Sequence, residues 1–246
     1  MSNHLALRSG NPALQSSTFR NHLSSVTDGT MTLSGTVNKT ALSLILVILS
    51  AGYSWTNPAM HGLVVPAAII GFVLALVTVF KPTLGHITVP AYALAQGVFL
   101  GVISMIFNAQ YPGIVVQAVF LTFGTLGALL LAYMSGLIKA TENFKLGIVA
   151  ATGGIAILYF INFVMSFFGS GISVISSNDT MGILFSGVVV VIAALNLVLD
   201  FDFIEEGAEM GAPKYMEWYG AFGLLVTLIW LYLEILRLLA KLSSRR

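Results

Sequence analysis

Several charged side chains near the carboxyl end of the chain lie in or beside long hydrophobic runs, where they would suit proton or cation chemistry. Asp200 and Asp202 end one run, and Glu234 and Arg237 lie inside the next. A charge at the centre of a membrane helix costs about 2.5 to 3.5 kcal/mol on insertion scales. Such residues are therefore candidates for function, and the rest of the chain is the scaffold that positions them.

Helical spacing separates the two aspartates. Asn196 and Asp200 are four residues apart and share one face, which should point into the protein because lipid offers no hydrogen-bond partner. Asp202 lies about 200° round the helix from Asp200 and should point away from it. We expect Asp202 at a cytoplasmic acidic mouth with three further acids, namely Glu205, Glu206 and Glu209. This cluster would either concentrate cations or be a solvated loop.

The position of Glu234 depends on where the last helix begins. Arg237 follows at i+3, close enough to pair with it. If the helix begins at Lys214, Glu234 is about 30 Å along it. If residues 212–219 lie along the membrane interface and the chain bends at Gly220 and Gly223, Glu234 is only about 16 Å deep and within reach of Asp200.

A purely structural interpretation of these acids is also open. Glu234 and Arg237 would then only neutralise each other within one helix, and Asp200 would be a solvated acid at a helix end. A short distance between the two carboxyl groups would argue against this interpretation.

The composition indicates a membrane protein. The chain is 57% hydrophobic and only 9% charged, whereas an ordinary soluble domain is about 25% charged. It has no cysteine, which excludes disulfides and thiolate metal sites. Residues 1–35 are polar and predict a mobile cytoplasmic tail, and residues 36–246 predict one transmembrane domain.

Seven apolar runs are long enough to cross a bilayer, which needs about 20 helical residues. They are Val37–Trp55, Gly62–Phe80, Thr88–Phe107, Ile114–Ile138, Leu146–Phe168, Met181–Leu199 and Gly220–Leu239. Small residues recur in these runs, as at Gly97 and Gly101, and predict close helix contacts. The fold class is therefore an all-α integral membrane protein, a seven-helix bundle.

The basic residues predict a cytoplasmic N-terminus. Lys and Arg up to Lys214 fall in the tail and in the second, fourth and sixth connections, and the other connections have none. Seven spans would place the C-terminus outside, yet Lys241, Arg245 and Arg246 lie there. The sequence leaves the topology of the last helix open.

Three motifs resemble those of the transmembrane Bax-inhibitor-motif family, in its bacterial branch. They are PAYALAQGVFLGVIS at Pro90–Ser104, LNLVLDFDFI around Asp200 and LYLEILRLL at Leu231–Leu239. The resemblance covers roughly residues 42–242. It implies a bundle with a central last helix, in a bacterial inner membrane. It also implies a pH-sensitive calcium leak, gated by a carboxylate pair that would be Asp200 and Glu234 here.

The chain departs from the family pattern at several points. Glu234 stands where the family usually has Asp, and Gln96 stands where it usually has Glu. The second span has no basic residue, so Arg237 would take the role of a basic partner. The segment between the two acids is also longer than usual.

The chemistry implied is a proton-controlled latch. Two carboxyl groups at close range share a proton and titrate as a unit. When both are ionised they repel, and the helices that carry them should loosen. Calcium prefers 6 to 8 oxygen ligands. Asp200 and Glu234, with the Asn196 and Gln96 amides and water, would form a weak, transient calcium site, as conduction requires.

Other classes of function are less well supported. An intramembrane enzyme is not expected, because the histidines are scattered and Asp200 and Asp202 share one helix. A secondary transporter should show internal repeats, and none is evident. The stronger alternative, which the resemblance implies, is an interaction protein that modulates a membrane-bound ATP-dependent protease through the tail. The expected partners are the lipid bilayer, calcium and protons. No nucleic-acid partner and no resident cofactor are expected.

Overall fold

A computed structural model describes residues 29–245 of the protein. Over these residues the protein is an all-α membrane bundle. The helices are α1 (Leu33–Thr56), α2 (Val64–Phe80), α3 (Gly85–Gln110), α4 (Ile114–Met134), α5 (Glu142–Ser166), α6 (Ser173–Ser176), α7 (Thr180–Glu209) and α8 (Met216–Ser243). All but the short α6 belong to seven segments that are long and apolar enough to cross a membrane. The predicted fold class and the seven spans are confirmed. Most of the predicted tail, residues 1–28, lies outside the described residues.

Local sequence signals set the helix ends. The Thr32 hydroxyl accepts a hydrogen bond from the Gly35 amide at 3.0 Å and caps the start of α1. The Asp179 carboxylate accepts one from the Gly182 amide at 2.7 Å and caps α7. Side chains that cap in this way satisfy amides that have no partner within the helix. Gly113 has φ +88°, a left-handed conformation that glycine adopts without strain, and it directly precedes α4.

The chain forms two compact units. In the first unit the described residues are 29–110 and 202–226. In the second unit they are 111–201 and 227–245. Helices α7 and α8 supply residues to both.

Small residues bring α1 and α3 of the first unit together. A Cβ atom added at Gly97 would overlap the Ser50 hydroxyl and the Val47 carbonyl oxygen, and one at Gly101 would overlap the Ser54 hydroxyl. The predicted close packing is therefore confirmed for α3. It does not extend to the glycines of α4 and α5, where an added Cβ meets no atom of the described chain within 4 Å. Helical spacing of small residues alone does not show which of them lie at a helix contact.

Helix α7 continues well past the predicted end of its span. It was expected to stop at Leu199, but it runs to Glu209, nine residues beyond Asp200. The charged residues lowered the hydropathy there. However, Phe203 and Ile204 stay buried, and this apolar face continues the helix.

The last helix is the most buried of the seven, as the prediction of a central last helix requires. Its most apolar stretch is 61% buried, against 44% for α3 and α7. The bend proposed at Gly220 and Gly223 is wrong, because α8 is continuous from Met216. Gly220 instead allows close packing, since an added Cβ would lie 3.1 Å from side-chain atoms of both Ile204 and Thr36.

Candidate functional site

Polar side chains form a line along one face of α8 in the second unit. Thr227, Glu234 and Lys241 are seven residues apart, about two helical turns, so they share a face. All three are buried. A buried polar line inside a membrane helix needs partners from neighbouring helices, and those partners define the site.

Glu234 lies in a closed group of three side chains. The Tyr159 hydroxyl of α5 donates to Glu234 Oε2 at 3.1 Å. Arg237 donates to both carboxylate oxygens at 3.2 Å and to the Tyr159 hydroxyl at 2.7 Å. The guanidinium also stands over the Tyr159 ring, 5.2 Å from its centroid. The predicted pairing of Glu234 with Arg237 is therefore present, and Tyr159 joins it.

Among the described residues, Asp200 has no hydrogen bonds or ion pair comparable with those of Glu234. Its side chain is fully buried, and neither carboxylate oxygen has a hydrogen-bond partner among residues 29–245. The hydroxyl of Thr227 lies beside it but outside hydrogen-bond geometry. Buried polar atoms without partners are rare in folded proteins, so this one calls for a physical explanation.

Asn196 lies one turn before Asp200 and is also buried, as their shared face predicts. Its amide nitrogen donates to the Thr152 hydroxyl of α5 and to the Ile192 carbonyl, both at 2.8 Å. The bond to Thr152 ties α7 to α5 close to the unsatisfied acid.

The structure does not join Asp200 and Glu234 by a hydrogen bond. Asp200 lies beside Thr227, which is seven residues before Glu234 and therefore about 10 Å away along α8. In this conformation the two carboxyl groups do not share a proton directly. Asp200 is not a solvated helix-end acid either, because it is wholly buried.

The remaining predicted residues belong to the first unit. Gln96 is half-buried on α3, and its amide lies against Gly71 of α2. The predicted acidic mouth lies on the last turns of α7 and not in a loop. Glu205 and Glu209 are exposed there, whereas Asp202 and Glu206 are half-buried. Within residues 29–245, no group of three or more His, Cys, Asp or Glu side chains is arranged to hold a metal ion.

The end of α8 holds a loop that the sequence did not reveal. The Lys241 ammonium donates to the carbonyl oxygens of Ile175 at 2.8 Å and Gly182 at 3.0 Å. Arg245 donates to the Asn178 carbonyl at 2.9 Å and to the Thr180 hydroxyl at 3.0 Å. The seven-residue spacing of Thr227, Glu234 and Lys241 was the only available signal, and it does not identify partners 59 and 66 residues away in the chain.

Asp179 stabilises the same loop from within. Its carboxylate accepts hydrogen bonds from the Ser177 hydroxyl and the Gly182 amide, both at 2.7 Å. These bonds favour the ionised form and lower the pKa of Asp179 below its ordinary value.

A third buried acid, Glu217 in the first unit, was also missed. Glu217 accepts hydrogen bonds from the Thr32 amide at 3.0 Å and the Thr32 hydroxyl at 2.9 Å, and it forms an ion pair with Lys39. Lys39 also lies over the Trp218 ring, 5.6 Å from its centroid. The sequence placed Glu217 in a connection and Lys39 among the topology signals, and their separation of 178 residues hides the contact.

Comparison with known families places the chain in one of them. The sequence model of the family described as Bax inhibitor 1 like matches residues 11–244, nearly the whole chain. No curated protein and no solved structure matches it significantly. The match agrees with the resemblance drawn from the motifs around Gln96, Asp200 and Glu234. The chain is therefore a member of the Bax inhibitor 1 like family of multi-pass membrane proteins.

Proposed function

We propose that the protein is a pH-sensitive cation leak channel that passes calcium, and that Asp200 is its principal proton- and cation-responsive group. The observation that carries this proposal is the complete burial of the Asp200 carboxyl without a hydrogen-bond partner among the described residues. A channel role also agrees with membership of the family.

Asp200 and Glu234 have different electrostatic surroundings. Glu234 is balanced by Arg237 and Tyr159. An ionised Asp200 has no cation or hydrogen-bond donor in bonding geometry among residues 29–245, and burying an unpaired charge is costly. Loss of its proton therefore favours any rearrangement of α7 against α8 that admits water or a cation. The contact of Asp200 with Thr227 is the element that such a switch would act on.

Calcium would be bound weakly at this point. The Asp200 carboxylate and nearby hydroxyl and amide oxygens supply fewer than the 6 to 8 oxygen ligands that calcium prefers, so water must complete its shell. Weak binding suits a leak, because an ion that conducts must leave as readily as it enters. Glu234 would contribute once its pairing with Arg237 opens.

Reconstituted vesicles test the proposal. Asp200→Asn removes the ionisable group and should change calcium flux and flatten its pH dependence. Glu234→Gln should change the flux but keep part of the pH dependence. Glu142→Gln is the control, at an exposed acid outside the acidic mouth, and should behave as wild type. Wild-type flux from Asp200→Asn at every pH would overturn the proposal.

A second candidate is an interaction protein that modulates a membrane-bound ATP-dependent protease. One observation favours it: residues 29–32, which follow the tail, are fixed to the fold. The Met31 amide donates to the Ala212 carbonyl at 2.7 Å, and Thr32 binds Glu217. A partner that grips the tail would therefore pull on a rigid attachment point. Deleting residues 1–28 should alter protein turnover without changing calcium flux if this candidate is correct.

A further inference from the structure

The loop between α5 and α7 covers the end of the second unit that holds Glu234. It is fixed on two sides. The Ile172 amide donates to the Asn162 side chain of α5 at 2.8 Å, and the Ile175 carbonyl accepts from Lys241 of α8 at 2.8 Å. Asn162 is three residues after Tyr159, and Lys241 is four after Arg237, about one turn in each case. The loop is therefore attached one turn beyond the Tyr159–Glu234–Arg237 group.

Lys241 is the central attachment. It is 5% exposed, and its ammonium bridges two carbonyls, one in the loop and one in the first turn of α7. A buried ammonium is expensive unless its hydrogen bonds are made. The cost of freeing Lys241 therefore holds the loop in place. Arg245, which is exposed, adds a peripheral attachment to Asn178 and Thr180.

We infer that Lys241 is a gating residue, which pins residues 172–182 as a plug over the end of the polar line on α8. This inference rests on the proposed channel function and adds its regulation. While Lys241 is in place, its positive charge also opposes a cation that approaches Glu234. Opening requires the Lys241 ammonium to leave both carbonyl oxygens. This step releases the attachment of the loop to α8 and, at the same time, moves the positive charge of Lys241.

The absence of cysteine from the chain allows a specific test. Ile175 is 7% exposed, so an Ile175→Cys reporter should react slowly with a maleimide while the plug is closed. Adding Lys241→Met should raise its labelling rate by about tenfold or more, the factor that corresponds to about 1.4 kcal/mol. Lys241→Arg, which keeps the charge and the donors, should restore slow labelling.

Two controls isolate the effect. Lys139→Met makes the same change at an exposed lysine of another connection and should leave the reporter rate unchanged. Ser176→Cys places the thiol at an exposed position of the same loop and should label at one rate in every background. If Lys241→Met does not fold, Arg245→Met takes its place and should raise the rate by a smaller factor. An unchanged Ile175→Cys rate in the folded variant, with normal Ser176→Cys labelling, would overturn the plug.

Calcium flux separates this inference from the proposed function. Lys241→Met should raise flux in vesicles, and Lys139→Met should not. If labelling rises while Asp200→Asn and Lys241→Met both leave flux at the wild-type level, the attachment of the loop by Lys241 stands, but the channel proposal and the gating role fail. If Asp200→Asn alters flux while Lys241→Met changes neither labelling nor flux, the channel stands and the plug fails.

Discussion

Glu217 and Asp200 are two buried acids with opposite surroundings. Both side chains are completely removed from solvent. In the first unit, Glu217 receives two hydrogen bonds from Thr32 and an ion pair from Lys39. In the second unit, Asp200 receives none from the described chain.

This difference allows the buried acids of a membrane protein to be ranked by whether they fix local structure or remain free to respond to protons and cations. A buried acid with all its donors in place fixes local structure, because any change leaves buried groups unpaired. A buried acid without donors adds little to stability and remains free to exchange a proton or meet a cation. Glu234 is intermediate, since its partner Arg237 has a side chain that is 38% exposed.

The largest expected effect is on the stability of the first unit. Glu217→Gln keeps the shape of the side chain but breaks the ion pair of the buried Glu217 carboxylate with the half-buried Lys39 ammonium. We expect a loss of about 3 kcal/mol, the lower end of the range for such a pair. Chemical unfolding in mixed micelles measures it. A loss of unfolding free energy no larger than that of an exposed control such as Glu209→Gln would show that Glu217 has no such structural role.

An intermediate effect is expected for Arg237→Met. Glu234 would remain buried with Tyr159 as its remaining donor in the group. Because Arg237 is partly exposed, we expect a loss of about 1 kcal/mol. The same unfolding measurement applies, with Tyr159→Phe as a companion that removes the hydrogen bond to Glu234 and the one from Arg237. A larger loss for Arg237→Met than for Glu217→Gln would reverse the ranking.

A smaller effect on stability is expected for Asp200→Asn. This is the same carboxyl-to-amide change as Glu217→Gln, but it breaks no hydrogen bond within residues 29–245. The free energy of unfolding should stay at or slightly above the wild-type value, while flux changes. A loss comparable with that of Glu217→Gln would show that Asp200 has a structural partner after all.

The smallest effect concerns Asp179, whose folded pKa lies below its ordinary value because the Ser177 hydroxyl and the Gly182 amide donate to it. The carboxylate therefore stabilises the folded loop above its unfolded pKa, and this contribution is lost as the pH falls through the folded pKa. The protection of the amides of residues 179–183 from hydrogen exchange, relative to their intrinsic rate at each pH, should fall only at that acid limit. Asp179→Ala should make exchange fast at every pH, and equal exchange in both proteins would refute the cap.

Much of the fold could be predicted from the sequence because hydropathy and helical spacing are local. The seven spans, the burial of Asp200 beside a half-buried Asp202, and the Glu234–Arg237 pair all follow from residues close in the chain. The end of α7 was misjudged because acidic residues mask a helix whose other face is still buried. The bend at Gly220 was misjudged because a glycine that allows close packing has the same local signature as one that allows a turn.

The contacts that complete the site could not be predicted, because they join distant parts of the chain. Tyr159 meets Glu234 across 75 residues, and Lys241 meets Ile175 across 66. No periodicity within one helix specifies which neighbouring helix faces it. The missing partner of Asp200 is likewise a property of three-dimensional packing.

Infrared difference spectroscopy of the carboxyl groups tests the central claim most directly. Calcium addition and pH change should perturb a carboxyl band in the wild-type protein. We predict that this band is absent from Asp200→Asn and is retained in folded Glu217→Gln. Persistence of the band in Asp200→Asn, or its loss in Glu217→Gln, would contradict the assignment of Asp200 as the responsive acid.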